Sequence, residues 1–264
     1  MPQADPITYA SYLKVPELLD LQRPQSSPEE HDEMLFIIIH QVYELWFKQM
    51  LHEGDLLKRH LIADKDELAF ATLKRMLTIL KTMVSQIDIL ETMTPISFLS
   101  FRDFLQSASG FQSAQFREFE FQLGYKRVKT LQHYPEGSME HDALARRISE
   151  PSIWNVFCGW IRKRGFEVPE HLVRGDSVEP TVECPEFQPE LIRLYREHPH
   201  ERALCEHLVD LDEGIQEWRY RHVMMVQRTI GVRMGTGGSD GVGYLRNTLF
   251  NPLFPDLWSI RAEL

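Results

Sequence analysis

Two histidines lie at the centres of apolar stretches with helical spacing. His40 follows Phe36 by one turn in FIIIHQVYELWFK, and His222 stands in EWRYRHVMMVQR. A lone buried histidine is more often a core residue bonded to a backbone carbonyl than a ligand. Two such histidines also fit a haem, since one imidazole can bind iron, apolar faces can pack on the macrocycle, and Arg219 or Arg221 can meet propionates. The residues alone leave both interpretations open.

The spacing of the other metal-binding side chains does not favour a non-haem metal site. HExxH is absent, and the one ExxH pair, Glu197 to His200, is interrupted by Pro199. Zincins and di-iron bundles need those ligand sets on uninterrupted helices. The three cysteines form no CxxC pair, so we expect reduced thiols.

Two further sites could contact a small ligand. Arg102, in SFLSFRDFL, is either paired with an acid such as Asp103 or free to bind a carboxylate, because its planar fork suits bidentate recognition. Ser109-Gly110, in SASGFQS, would ordinarily be a turn. Such a small pair also lets a flat ligand approach the backbone.

A glycine-rich stretch follows the last long helical pattern. GVRMGTGGSDGVG, residues 231–243, holds six of the 14 glycines. It lacks the Gly-Lys-Ser/Thr ending of a phosphate-binding loop and follows a helix rather than a strand, so nucleotide-binding fingerprints fail. The hydroxyl of Thr236 and free backbone N–H groups suit a lid over a small anionic or zwitterionic ligand. An interhelical connector explains the stretch equally well.

Apolar periodicity of three and four residues predicts the elements that position these side chains. A first long helix is expected from Pro28 to about Arg59, with Ser27 as N-cap and Glu30 completing a capping box. Further helices are expected over residues 64–94, 97–132 with an interruption at 107–110, 138–164, 187–197 and 201–230. No strand-like alternation is present. The pattern therefore predicts an all-α bundle with an irregular or small-helical excursion near 165–200.

Length and composition favour a single soluble domain over residues 1–264. Its amino-terminal segment, residues 1–26, is expected to be irregular, yet it is unusually aromatic. The formal net charge of -10 opposes nucleic-acid binding. Neither an export signal nor a membrane-spanning run is visible, so a cytoplasmic protein without membrane contact is expected.

Several long motifs, in order, resemble one family. FIIIHQVYELWFKQ, FRDFLQSASGFQS, RYRHVMMVQRTIG and GTGGSDGVGYLR closely resemble the tryptophan 2,3-dioxygenase family, and TYASYLKVPELL resembles its amino-terminal segment. The resemblance runs from about residue 8 to the carboxyl terminus. It implies a homotetrameric, helical haem enzyme that opens the pyrrole ring of L-tryptophan with O₂ to give N-formyl-L-kynurenine, the first step of tryptophan catabolism.

By the same resemblance, the haem residues can be assigned. His222 matches the proximal ligand of the haem b iron. His40 matches the distal, catalytic histidine, which would accept or share the indole N–H. Ser109 and Gly110 would line the pocket near the haem edge.

The resemblance also assigns the substrate contacts. Phe36 would pack on the indole ring, Arg102 would bind the substrate carboxylate, and Thr236 would meet the ammonium and carboxylate groups. The amino-terminal residues that would close the pocket of a neighbouring subunit are Tyr9, Tyr12 and Leu13.

Three alternatives remain beside this assignment. The first is an indole dioxygenase of looser specificity, which Arg102 and Thr236 argue against, because a buried guanidinium without its carboxylate would be costly. A haem sensor or carrier would use the same pocket without chemistry. A helical scaffold with ordinary core histidines would bind no haem.

Overall fold

Every regular element in the described part of the chain is helical. The computed structural model describes residues 6–231, 233–235 and 242–264. The α-helices are α1 (Tyr9–Leu13), α2 (Val15–Leu19), α3 (His31–Ile62), α4 (Asp66–Leu90), α5 (Pro95–Phe101), α6 (Ala114–Leu123), α7 (Met139–Ser149), α8 (Ile153–Lys163), α9 (Glu170–Arg174), α10 (Gln188–Glu197), α11 (Pro199–Ile230), α12 (Val242–Arg246) and α13 (Pro255–Ser259). Single 3₁₀ turns span Arg102–Leu105, Gly110–Gln112, Val128–His133 and Ile260–Glu263. The predicted all-α class is confirmed.

Three long helices form the centre of the bundle. α4 packs along both α3 and α11, while α6 and α8 pack against α3. The buried faces are formed mainly by large apolar side chains, each of which stabilises the fold by about 1.5–3 kcal/mol when fully buried. Examples with almost no exposure are Met50, Leu57, Leu73, Met76, Leu80, Leu208, Leu211 and Ile215. No described helix is both long and apolar enough to cross a lipid bilayer.

A close approach at Gly54 seats α6 on α3. A Cβ at this position would lie 2.2 Å from Oε1 of Gln122, so a larger residue would displace the Gln122 amide. The Gln122 amide donates to the Leu51 carbonyl oxygen at 3.0 Å and to Asp55 Oδ1 at 2.9 Å. This contact fixes α6, and with it the turn at Gly110, relative to α3.

The predicted start of the first long helix was wrong by one turn. The helix begins at His31 rather than Pro28, with Glu30 at the N-cap position. Ser26 Oγ accepts the backbone N–H of Glu30 at 2.9 Å, and the Glu33 carboxylate accepts the N–H groups of Ser26 and of the preceding residue at 3.0 and 2.8 Å. These bonds satisfy the backbone in place of the expected capping box.

The single helix predicted for residues 138–164 is two helices, α7 and α8. Pro151 disfavours helical backbone in the residue before it. Ser152 then starts α8 with a capping box in which its side chain and that of Asn155 accept each other's backbone N–H groups. The expectation of an irregular segment 1–26 was also incomplete, because it contains α1 and α2.

The excursion predicted near 165–200 is present, and it is largely irregular before α10. It contains the short helix α9 and then continues without regular structure to α10. Asn155 Nδ2 donates to the Leu172 carbonyl oxygen at 2.7 Å, which holds α9 against α8. The side chain of Leu172 is buried at the same junction.

Candidate active site

The bundle brings His40 on α3 and His222 on α11 to the same place. Both rings line two adjoining cavities, whose linings are mostly apolar. Arg102 lines the first cavity, and Glu120 lines the second. The residues shared by both are His40, Leu90, Gly110, His222, Met225 and Leu245.

The hydrogen bond made by His40 defines the role of each ring nitrogen. Nδ1 lies 2.7 Å from the carbonyl oxygen of Phe36, and a carbonyl only accepts, so Nδ1 carries the proton. Burial lowers the pKa of His40 despite this bond, which keeps the ring neutral near pH 7. Nε2 is therefore a hydrogen-bond acceptor. The Phe36 ring packs against the imidazole, with 4.1 Å between centroids.

His222 presents a neutral imidazole without a hydrogen-bond partner among residues 6–231, 233–235 and 242–264. Burial, followed by the nearby His40 and Arg117, lowers the pKa of His222 to about 4. The ring stacks on the Trp218 indole, with 5.3 Å between centroids and 5° between planes. A nitrogen lone pair thus remains available inside an apolar pocket.

Arg102 closes one side of the first cavity. It follows α5 directly, and its Nη2 donates to the carbonyl oxygen of Met234 at 2.7 Å. The suggested pairing with Asp103 is absent from the ion pairs of the described chain, where Arg102 instead contacts backbone. Its remaining N–H groups can bind an anion in the cavity, beside Phe36 and His40.

A buried cluster of charges underlies the second cavity. Glu120 on α6 contacts Arg117 at 2.8 Å, Arg219 at 2.7 Å and Arg127 at 2.5 Å. Burial alone would raise the pKa of Glu120, but the three guanidinium charges lower it to about 2. The cluster carries more positive than negative charge, so it suits an anionic group of a ligand. Arg221, by contrast, pairs with acids of α4 and lines neither cavity.

Arg117 and Glu120 were not predicted from the sequence as residues of the site. Both lie within QFREFEFQL, whose phenylalanines indicate core packing and conceal the charges. The three-residue spacing that places Arg117 beside Glu120 on one helical face was the available signal.

Ser109 and Gly110 line the cavities that contain His40 and His222, while their role beside a haem stays a prediction. Ser109 lines the first cavity and Gly110 lines both. A Cβ built on Gly110 would meet no atom within 4 Å, so glycine leaves open space at this edge. Thr236 lies outside the described residues, although Gly235 lines the first cavity.

The three amino-terminal site residues do not contact the cavities of their own chain. Tyr9 is 78% exposed, Tyr12 75% and Leu13 44%, and none of them lines either cavity. Their predicted role concerns a neighbouring subunit, so it stays a prediction.

The residues present fit a haem. An unpartnered neutral imidazole at His222 is a suitable iron ligand, and the open space beside Gly110 accommodates a flat group. The apolar lining of both cavities suits a macrocycle, while Arg117 and Arg219 can interact with propionates.

Comparison with known proteins gives the family of the chain. The family model described as tryptophan 2,3-dioxygenase matches residues 3–164 and 188–264. The chain belongs to the tryptophan 2,3-dioxygenase family. Three relatives carry that name, from Herpetosiphon aurantiacus at 55% identity, Anaeromyxobacter sp. strain K at 50% and Caulobacter vibrioides at 42%. The alignments cover 98%, 98% and 99% of this chain and 98%, 96% and 100% of the relatives. The resemblance to the tryptophan 2,3-dioxygenase family is thus confirmed, and residues 165–187 lie outside the match to the family model.

Proposed function

We propose that this protein is a haem-dependent dioxygenase that converts L-tryptophan and O₂ to N-formyl-L-kynurenine. The observation that carries the proposal is the placement of a neutral His222, which has no hydrogen-bond partner within the described part of the chain, and an accepting His40 in one apolar site with Arg102. Membership of the tryptophan 2,3-dioxygenase family supports the same reaction. The single-domain organisation and the cytoplasmic location stay predictions from the sequence.

In this proposal His222 holds the haem iron, and Arg117 and Arg219 interact with the propionates. When bound, the haem supplies the activation of O₂. The protein contributes position, exclusion of water and a low dielectric. The apolar side chains that line both cavities keep competing water away from the reacting indole.

The first cavity orients the amino acid through its two ends. Arg102 binds the carboxylate, and the Phe36 ring packs on the indole. His40 Nε2 accepts the indole N–H, as its tautomer requires. Thr236 is proposed to meet the ammonium and carboxylate groups. These contacts distinguish L-tryptophan from tryptamine and from unsubstituted indole.

Replacing His40 is expected to impair turnover without abolishing it. His40→Ala removes one hydrogen bond to the substrate but leaves the haem ligand, so kcat/KM should fall about tenfold to a hundredfold. Formylkynurenine formation, normalised to haem content, measures this. His207→Ala is the matched control, since His207 makes the same Nδ1 contact with the carbonyl four residues earlier, at 2.7 Å, but lines neither cavity. Unchanged activity in His40→Ala would contradict the assignment.

The exposed amino-terminal segment supports a proposed homotetramer in which it covers a neighbouring pocket. Ile7 and Leu19 are also largely exposed, at 80% and 71%, and apolar side chains grouped in this way mark an interaction surface.

Joint substitution of Tyr9 and Tyr12 by alanine is expected to weaken assembly by about 2 kcal/mol per tyrosine and to lower kcat/KM. Sedimentation and steady-state rates at matched haem content test this. Met139→Ala is the control, because Met139 is an exposed apolar residue, at 84%, that lies on α7 and outside the amino-terminal segment. A double variant that forms an assembly of the parent's molecular mass and has the parent's kcat/KM would exclude this role.

The reaction itself is tested with reduced, haem-loaded protein. Anaerobic reduction followed by L-tryptophan and oxygenated buffer should give a histidine-ligated ferrous spectrum and then the formylkynurenine band. A haem spectrum without product would favour a sensor or another indole substrate. Failure to bind haem would make both histidines ordinary core residues.

A further inference from the structure

A second group of metal-binding side chains lies outside the proposed active site. His171, Cys184 and Glu186 each offer one possible ligand atom, and these atoms lie within 4.8 Å of one another. Cys184 Sγ is 3.9 Å from His171 Nε2 and 3.8 Å from Glu186 Oε1. We propose that these three side chains bind one divalent transition-metal ion of the zinc type, which clamps the excursion formed by residues 165–187.

The two sulfur contacts lie close to the distances found in zinc sites, and all three ligand atoms lie within 4.8 Å of one another. Zn–S and Zn–N lengths of about 2.3 and 2.0–2.1 Å with tetrahedral angles place neighbouring ligand atoms about 3.3–3.6 Å apart. The sulfur contacts exceed this by a few tenths of an ångström, and His171 and Glu186 are exposed side chains that can rotate inward. A thiolate, an imidazole and a carboxylate together favour zinc over the hard cations Mg²⁺ and Ca²⁺.

The ligands come from two segments that are separately anchored to the bundle. Cys184 donates its backbone N–H to the buried Asp256 at 2.7 Å, so its position is fixed against α13. His171 belongs to α9, which Asn155 holds against α8. A metal ion would join these two anchored segments across the excursion.

The surrounding charge favours a cation. Glu179, Glu183 and Glu186 line the adjoining surface cavity together with Lys126. The Lys126 ammonium is bonded to three carbonyl oxygens at 2.7–3.2 Å, and the three carboxyl side chains outnumber this single cation. His171 and Glu186 also line a second, more open surface cavity, so solvent reaches the group and water can complete four-coordination. On binding, the Cys184 thiol releases its proton to solvent.

The location separates this site from the proposed active site. All three ligands fall within residues 165–187, which the family model does not match, although the alignments with relatives extend over nearly the whole chain. None of the three lines either cavity that contains His40 and His222, so zinc binding can be measured separately from haem binding.

The test is zinc binding by the full-length, haem-loaded protein. After incubation with Zn²⁺ and dialysis, elemental analysis should find one zinc per chain, counted separately from iron. X-ray absorption at the zinc edge should show one sulfur at about 2.3 Å and nitrogen or oxygen neighbours at about 2.0–2.2 Å. Zinc content well below one per chain, or a zinc environment without sulfur, would overturn the proposal.

Paired variants separate the site from general surface binding. His171→Ala and Cys184→Ala should each weaken Zn²⁺ affinity at least about 10- to 100-fold, because even losing an outer-shell partner of a ligand has that effect. His52→Ala, at an exposed helical histidine, and Cys205→Ala, at a buried thiol of α11, are the controls and should bind as the parent does. His171 is exposed, so its variant keeps the test valid if Cys184→Ala misfolds. Parent-like affinity in His171→Ala would refute the assignment.

Discussion

His222→Ala is expected to lose stable haem and, with it, measurable dioxygenase activity. His222 carries the accessible neutral imidazole on α11, and burial holds its pKa at about 4, so its lone pair is available at neutral pH. Apolar packing and the propionate contacts would then be the remaining haem interactions. Loss of the metal ligand should weaken haem affinity by at least about 100-fold. The haem-to-protein ratio and the ferrous spectrum measure the effect.

Two comparisons distinguish loss of the iron ligand from misfolding as the cause of haem loss in His222→Ala. His40→Ala removes an imidazole from the same cavities and should retain haem with a histidine-ligated spectrum. His222→Gly with added imidazole should recover haem binding, because the small ligand occupies the vacated space and a misfolded chain could not be restored in this way. A histidine-ligated spectrum in His222→Ala without added imidazole would refute the ligand assignment.

The parts of the fold that long apolar patterns determine could be predicted from the sequence. α3, α4 and α11 each bury a continuous stripe, so many residues repeat the same signal. The ends of the helices were less predictable, since they depend on single side chains that compete for hydrogen bonds to backbone groups. Glu33 and Ser26 displaced the expected start of α3, and Pro151 divided the predicted helix at 138–164.

The same distinction applies to the sites. His40 and His222 stand out because each interrupts an apolar face, and their convergence follows from the packing of two long helices. The charged cluster at Glu120 was missed, because its partners come from α6, α11 and the loop after α6. The group at His171, Cys184 and Glu186 has no spacing motif. Only the folded path of the excursion brings His171 close to Cys184, which lies thirteen residues later in the sequence.

Replacing Arg102 is expected to reduce activity toward tryptophan far more than activity toward tryptamine. The guanidinium is positioned by its bond to the Met234 carbonyl, and in our proposal it pairs with the substrate carboxylate. Removing one partner of a buried, hydrogen-bonded charge pair costs about 2–5 kcal/mol. Arg102→Leu should therefore lower kcat/KM for L-tryptophan by about a hundredfold to a thousandfold. Arg102→Lys should recover only part of this, because an ammonium keeps the charge but loses the bidentate geometry.

Tryptamine separates carboxylate binding from a purely structural role. Tryptamine lacks the carboxylate, so a guanidinium whose role is to bind that carboxylate contributes little to tryptamine turnover. Arg102→Leu should therefore change tryptamine turnover less than about tenfold. If Arg102 instead serves to hold residues 233–235 in place, Arg102→Leu should lose activity toward tryptophan and toward tryptamine by the same factor. Arg233→Leu is the control, since Arg233 is exposed in that same stretch and lines neither cavity. An equal loss for the two substrates, with Arg233→Leu unaffected, would place Arg102 in loop positioning rather than in recognition of the amino acid.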